Sequence, residues 1–574
     1  MRLIDTKTLE LKEFMGSAIP RYAILSHTWE EDEVGFHEFT QLGRSELRKK
    51  KGFAKINHTC RLARGSGISW AWVDTCCIDK SSSAELTEAI NSMYQWYADA
   101  IVCFAYLSDL RTGGARKKDQ QRAVKDGGSV ASGASGDGSL TFEQRVQKYA
   151  HCRWFTRGWT LQELIAPRRL GFYDTDWGFQ GEKSDMALEL TAITGIRTEV
   201  LENKLAPSSV SVAQRMSWAS RRETTRAEDM AYCLLGLFDV NMPLLYGEGS
   251  KAFTRLQGEI IKEICDFSLF AWRHPEREGG EEGTGDKVPA QRQKQRHWGI
   301  LALSPKDFAD SSGIETLGDP MYNNECVPTS KGLRFVAPVN CGLLDGKGEL
   351  EGTYLMNLRC EEWDARLPVA ICLRKHGRGI YSRVNPTQLP RVRDRVKTKE
   401  EVFYVTATVS PARSIMLAAS HRHAINLSRL GENLGIRLDK LEPADHWDRQ
   451  QLQFLTEGNG YILYEATFST LLDFPAKRAR LRMQFYFQPD MSLSVTLGAV
   501  SENDGDDAYF RAVGAHSYEE SVEGQPVHFV ILEPPRRRGD RMLVAPSSET
   551  SKSPLTYRPR PRSKGEEWLS PRAL

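Results

Sequence analysis

Residues 157–167, RGWTLQELIAP, place one indole and one carboxylate where they could act together. At helical spacing Trp159 and Glu163 lie one turn apart on the same face. A carboxylate can hold sugar hydroxyls and oppose a developing positive charge. An indole can stack on a flat ring. The pair therefore reads as half of a site for a ring and a sugar. It also has a plain reading, with Glu163 solvated or paired with Arg157 or Arg168 and Trp159 packed in a core.

Other chemistry-bearing residues follow two apolar runs. Ser26, His27 and Trp29 come directly after the first, RYAILS. His27 could donate to a phosphate or titrate near neutral pH. Alternatively Ser26 and Thr28 cap a local turn while Trp29 packs. Asp74 and Asp79 bracket TCCI after the second run, ISWAWVD. An acid at the carboxyl end of a strand can hold a ribose hydroxyl, whereas Asp79 is better placed to cap the next helix. The set His58, Cys60, Cys76 and Cys77 lacks the spacing of a zinc site, because two adjacent cysteines cannot form a metal knuckle. A cysteine nucleophile paired with His151 or His27 is open, but no feature selects it. YGEGSKAF has neither the spacing nor the preceding strand of a phosphate-binding loop, so that class of nucleotide hydrolase is excluded.

Positioning these groups requires a parallel sheet. Between residues 20 and 175 the apolar runs RYAILS, ISWAWVD, AIVCFAYL and RLGFYD alternate with helical patterns. Continuous apolar strands separated by helices imply a parallel sheet covered on both faces. One intervening helix starts at a capping box, Ser82 and Glu85. Its Leu86, Ile90, Met93, Tyr94 and Tyr97 form one apolar stripe. Open α/β sheets bind ligands at the carboxyl ends of their strands. That rule brings Ser26, His27, Asp74 and the chain after Leu107 to one edge. The Glu163 helix follows the third strand, so its start belongs at the same edge.

Beyond residue 181 the character changes twice. Residues 181–272 read as helical. TTRAEDMAYCLLGLFDV carries a capping-box pattern at Thr225 and Glu228, with Met230, Leu234, Leu237 and Phe238 on a buried face. YGEGSKAFTRLQGEIIKEI places Phe253, Leu256, Ile260 and Ile264 on one stripe. Residues 297–533 contain many short β-like runs with turn residues between them, as in a sandwich-like β domain. The expected divisions are an α/β domain at 1–180 with a disordered insertion at 111–140, the helical extension at 181–272, a flexible linker at 273–296, the β-rich domain, and a disordered basic tail at 534–574. The tail holds ten Lys/Arg against four Asp/Glu.

The totals bound the class. At 574 residues the chain exceeds a single core. A net charge of +2 gives no global pull toward nucleic acid or a membrane surface. Eleven cysteines without a C-x-x-C pair fit a reduced protein with buried thiols. The N-terminus has no apolar core of signal-peptide length, and no run reaches the ~20 apolar residues of a membrane helix. The expected location is the cytoplasm.

Three blocks resemble one family. RYAILSHTWEEDEVGFHEF, WAWVDTCCIDKSSSAELTEAINSMYQWYADAIVCFAYLSDL and RWFTRGWTLQELIAPRRLGFYDTDW look like the signature blocks of the fungal heterokaryon-incompatibility (HET) domain. The stretch from Arg215 to Ile261 resembles the segment that follows in those proteins. The resemblance implies a role in self/non-self recognition between fungal cells, ending in programmed death, with self-association and a second incompatibility protein as partners. HET domains in turn resemble the Toll/interleukin receptor (TIR) domain, a flavodoxin-like α/β module. In TIR domains an apolar strand is followed by a stretch like W-C-L-x-E-L and then a strand like P-I-F-Y; here AIVCFAYL, WTLQEL and RLGFY stand in that order, with Thr160 in place of the cysteine. Several TIR domains hydrolyse NAD with the glutamate of that stretch. The resemblance thus implies Glu163 as the catalytic carboxylate, Trp159 as a ring platform, and NAD as a substrate rather than a resident cofactor. A non-catalytic module that signals by oligomerising is the alternative.

Overall fold

The apolar runs of the N-terminal third become the centre of a seven-stranded sheet. We describe a computed structural model covering residues 1–111, 140–274, 296–318, 325–340, 353–364, 366–391, 400–419, 424–428, 437–449, 451–456, 462–471, 478–488, 493–499, 514–522 and 525–533. The expected insertion, linker and basic tail lie almost wholly outside these described residues.

The strands are β1 (Arg2–Asp5), β2 (Leu11–Glu13), β3 (Tyr22–His27), β4 (Trp70–Trp72), β5 (Val102–Tyr106), β6 (Leu170–Tyr173) and β7 (Phe179–Glu182), in the spatial order β2-β1-β4-β3-β5-β6-β7. β3 runs parallel to β4 and β5, and β5 to β6. All six residues of β3 are buried, as expected of a strand covered on both faces. From β3 the chain steps to β4 on one side, then returns past β3 to β5 on the other. The carboxyl ends of β3 and β5 therefore flank the point where strand order reverses, which is where open α/β sheets form a crevice. The antiparallel hairpin β1–β2 extends one edge. It was not anticipated, because MRLIDTKTLELKEF has little apolar alternation.

Helices α1 (Lys51–Gly65) and α2 (Ser83–Asp99) cover opposite faces. Strand side chains alternate. Ala23 clusters with Ala63 of α1, whereas Tyr22 donates from its hydroxyl to the Trp96 carbonyl of α2 at 2.5 Å. Ser82 does cap α2, its hydroxyl accepting from the Glu85 amide at 3.4 Å. The Glu85 carboxylate accepts instead from the Asp79 amide and from Arg2, so only half of the expected box forms. After residue 140 comes α3 (Phe142–Ala150), opened by a complete box between Thr141 and Gln144 that the sequence reading passed over. Then follow a tight turn, Arg153–Thr156, and α4 (Thr160–Ile165), all six of whose residues are buried.

The expected long helix across TTRAEDMAYCLLGLFDV is corrected. It divides into two single turns, Asp229–Tyr232 and Leu235–Phe238. Thr225 does not cap it; its hydroxyl accepts from Arg157 at 3.1 Å. Glu228 turns away to accept from the amides of Gly247 and Gly249 at 2.7 and 2.9 Å. Competition from these tertiary donors outweighs a local cap. α5 (Lys251–Glu263) forms as expected, with Phe253, Leu256 and Ile260 buried.

The C-terminal region is β-rich. Strands Gly332–Asn340, Tyr354–Glu362, Pro368–Lys375, Ile380–Val384 and Glu400–Val405 pair in succession, and the last pairs back to the first, Val405 opposite Leu333 and Glu400 opposite Pro338. These five strands close into a ring, with Ile314–Thr316 and Glu325–Thr329 added as outer strands. Beyond it, Ile425, Phe454 and Val530 of a five-stranded sheet share a core with Phe468, Met483 and Phe485 of a four-stranded one. Face-to-face packing of that kind is sandwich-like. Residues 297–316 pack on the helical extension: the Gln257 side chain exchanges two hydrogen bonds of 2.9 Å with the Ala302 backbone. Among the described residues no helix is long and apolar enough to cross a membrane.

Candidate functional site

β3 ends in Ser26-His27, whose side chains leave opposite faces of the sheet. On the α2 side, Ser26 is fully buried. Its hydroxyl donates to Glu163 Oε2 at 2.5 Å and accepts from Trp154 Nε1 at 2.8 Å. Glu163 is 6% exposed on α4. The Tyr97 hydroxyl, which donates to the Leu25 carbonyl at 2.9 Å, lies by this carboxyl and favours its ionised form. Burial pushes the Glu163 carboxyl up to about 8, and the negative charge of Asp74 adds to the rise. The hydrogen bond from Ser26, the nearby Tyr97 hydroxyl and the charge of Arg222 oppose it without cancelling it. In the free protein Glu163 is therefore mostly a neutral acid at pH 7.

The helix that presents Glu163 is held at both ends. The Thr160 hydroxyl bonds to the Trp154 and Arg157 carbonyls at 2.5 and 2.9 Å. At the other end the buried Lys183 ammonium donates to the carbonyls of Leu164 and Pro167 at 3.3 and 2.6 Å. A cation over the last carbonyls complements the helix dipole.

On the α1 side, His27 Nε2 lies 3.0 Å from Asp74 Oδ1. Asp74 Oδ2 accepts from Trp29 Nε1 at 2.7 Å. Burial disfavours ionisation of Asp74, but the hydrogen bonds and charges of His27, Lys80 and Trp29 win and hold its carboxyl down to about 2. His27 Nδ1 sits 3.8 Å from Glu33 Oε1, and Lys55 binds Glu33 and the Thr28 carbonyl. Trp29 is 51% exposed, with the Lys80 ammonium 3.6 Å from its ring centroid. The edge thus grades from an exposed indole and ammonium, through an ionised Asp74, to a buried neutral acid.

Five of the six anticipated residues, Ser26, His27, Trp29, Asp74 and Glu163, gather at this edge. Trp159 does not join them. It immediately precedes α4, and its indole lies by Asp229 of the helical extension, whose ionised form it favours. The Trp159 backbone is already helical (φ -60°, ψ -36°), and its half-buried ring packs against the core. The indole against the buried pair is Trp154. Nor does Arg157 pair with Glu163, since it donates to Thr225. Asp79 does not cap the next helix as expected: Ser82 is the cap, and the Asp79 carboxylate accepts from the amide and hydroxyl of Ser81 in a turn just before it. The sequence reading missed Trp154, Tyr97 and Arg222. Tyr97 had been assigned only to the apolar stripe of α2, and the other two carried no spacing signal.

Cys60, Cys76, Cys77, Cys103, Cys152, Cys233, Cys360 and Cys372 are buried free thiols. Among the described residues no cluster of His, Cys, Asp and Glu has metal-holding geometry.

Comparison with known proteins agrees with the N-terminal reading. Residues 22–163 match the family model for heterokaryon incompatibility protein (HET). Residues 251–330 match a domain of unknown function, DUF8212. Vegetative incompatibility protein HET-E-1 of Podospora anserina is 42% identical over 272 residues, which is 46% of this chain. The chain spans 18% of that relative's length. No solved structure matches the chain.

Proposed function

We propose, from the premise that the N-terminal module is a HET domain, that the protein acts in heterokaryon incompatibility and that its HET module hydrolyses NAD with Glu163. The observation that carries this reading is the buried Ser26–Glu163 pair at the strand-order reversal of the sheet. The order β4-β3-β5-β6 supports a flavodoxin- or TIR-like module. With it goes the division into an α/β domain at 1–180, a helical extension at 181–272, a β-rich domain at 297–533, and the connecting and tail segments. A cytoplasmic site of action fits the free thiols.

In this reaction the bond between the nicotinamide nitrogen and the ribose carbon breaks, its electron pair leaves with neutral nicotinamide, and water adds to the carbon with release of a proton. The task is to hold the ribose and offset charge on an oxocarbenium-like transition state. A cationic pyridinium beside a buried acid favours loss of its proton. Substrate binding therefore draws Glu163 toward the carboxylate that the transition state needs. Ser26 and Tyr97 orient that group. Trp29, Asp74 and His27 line the approach, where an exposed indole suits a ring and Lys80 suits phosphates. Trp159, whose indole lies by Asp229, takes no part in this version.

The covering of Glu163 by Ser26, Tyr97 and α4 also favours a second reading, in which the module signals by self-association or by binding another incompatibility protein without turnover. Purified protein incubated with NAD separates the two. Nicotinamide release lost in a folded Glu163→Gln variant supports the hydrolase. Full killing of hyphae by Glu163→Gln supports the signalling module.

A further inference from the structure

Arg222 is buried, at 2% exposure, and lies outside the segment matched to the HET family. Its Nη1 donates to the Arg157 carbonyl and to the Thr160 hydroxyl, both at 2.9 Å. Its Nε donates to the Trp218 carbonyl at 3.3 Å. Nη2 is buried without a hydrogen-bond partner. A fully desolvated guanidinium with no carboxylate against it is costly, so its retention calls for a physical reason.

The surrounding backbone supplies one. Gly158 donates to the Glu223 carbonyl at 2.9 Å and Glu223 donates to the Thr156 carbonyl at 2.6 Å, forming a short parallel bridge just before α4. A side chain at Gly158 would strike Thr224 at 2.5 Å, so the two segments meet at backbone distance. Arg222 thus enters at the start of α4 from the helical extension, where ionised Cys233 and ionised Glu163 each favour its charge.

We propose that Arg222 is a positioning residue for Glu163: it ties the start of α4 to the helical extension and supplies the buried positive charge that the Glu163 carboxylate needs, so the site is incomplete within residues 22–163. The catalytic part of this inference rests on the NAD-hydrolase reading; the effect on Glu163 itself does not. The groups facing Glu163 are Ser26 and His27-bound Asp74 from the strand ends, Tyr97 of α2, Cys103 of β5 and Arg222. Arg222 is the one cation among them, since Lys183 is engaged with the carbonyls at the far end of α4.

The test uses the full chain and two variants. Arg222→Gln removes the charge and keeps donors; Arg222→Lys keeps the charge and loses the fork. Infrared difference spectra of the Glu163 carboxyl, identified by its loss in Glu163→Gln, follow its titration without any substrate. The expected result is a rise in the titration midpoint of about one pH unit in Arg222→Gln, as for loss of a neighbouring cation. Arg222→Lys should stay near wild type. In parallel, the pH at which nicotinamide release turns on moves up by the same amount in Arg222→Gln. An unchanged Glu163 midpoint in folded Arg222→Gln overturns the proposal, as does unfolding of both variants, which would make the guanidinium a brace alone. Absence of nicotinamide release from wild type rejects the hydrolase reading, while the carboxyl titration still judges Arg222.

Discussion

Ser26 and Glu163 stand 137 positions apart in the chain and share a hydrogen bond of 2.5 Å, which joins the carboxyl end of β3 to the middle of α4. Both groups are buried, and Trp154 completes the contact by donating to the same hydroxyl. In Ser26→Ala the Trp154 N–H and the Glu163 carboxyl each lose a partner. A buried donor left unpaired costs about 1–3 kcal/mol. Urea denaturation at pH 7 should show a loss of that size, with an unchanged m-value. The Glu163 midpoint should rise, because a hydrogen bond that favours the ionised form is gone.

Glu163 makes stability fall with pH. Its folded value, raised to about 8 from 4.5, means the native state holds a proton that the unfolded chain releases between those two values. Its contribution is therefore least unfavourable below about pH 4.5 and becomes destabilising as pH climbs toward 8. Glu163→Gln should melt several degrees higher than wild type at pH 8.5, on the scale of ~2–4 °C per kcal/mol for a domain of this size. At pH 4, where Glu163 is mostly protonated in the folded and unfolded chain alike, the two should melt alike. Calorimetry at the two pH values decides it.

Asp74 behaves in the opposite sense. Its carboxyl, held down to about 2 against a usual 3.8, contributes stability that is present above the usual value. That contribution is lost as pH falls from there through about 2. Asp74→Asn should be less stable than wild type at pH 7 and match it near pH 2. Parallel acid titrations by circular dichroism would reveal an unchanged gap if His27 and Trp29 did not sense the charge.

The two tryptophans near α4 should separate by role. Trp154→Phe removes the donor to Ser26 and should lower nicotinamide release at least ~10-fold, the factor that follows from about 1.4 kcal/mol of lost transition-state stabilisation. Trp159→Phe removes a contact to Asp229 and should leave the rate within about 2-fold of wild type while costing about 1 kcal/mol of stability. Equal rate losses in both would return Trp159 to the site.

Much of this was legible in the chain. Local pattern alone located β3 to β6, because a strand covered on both faces must be apolar throughout, and it located α2 and α5 by their stripes. The C-terminal runs, from GLRFVAPV to VHFVIL, likewise became strands. The carboxyl-edge rule placed Ser26, His27, Asp74 and Glu163 together, since it follows from chain direction and needs no side-chain contact. What tertiary structure alone decided were the partners. That the indole donating to Ser26 belongs to Trp154, and that the start of α4 is tied to Arg222 and Glu223 from far downstream, were set by the packing of remote segments. Thr225 and Glu228 carried a capping pattern, yet distant donors claimed both. Periodicity reports which face of a segment is apolar; it holds no information about which remote backbone or charge will compete for a polar group once the core has formed.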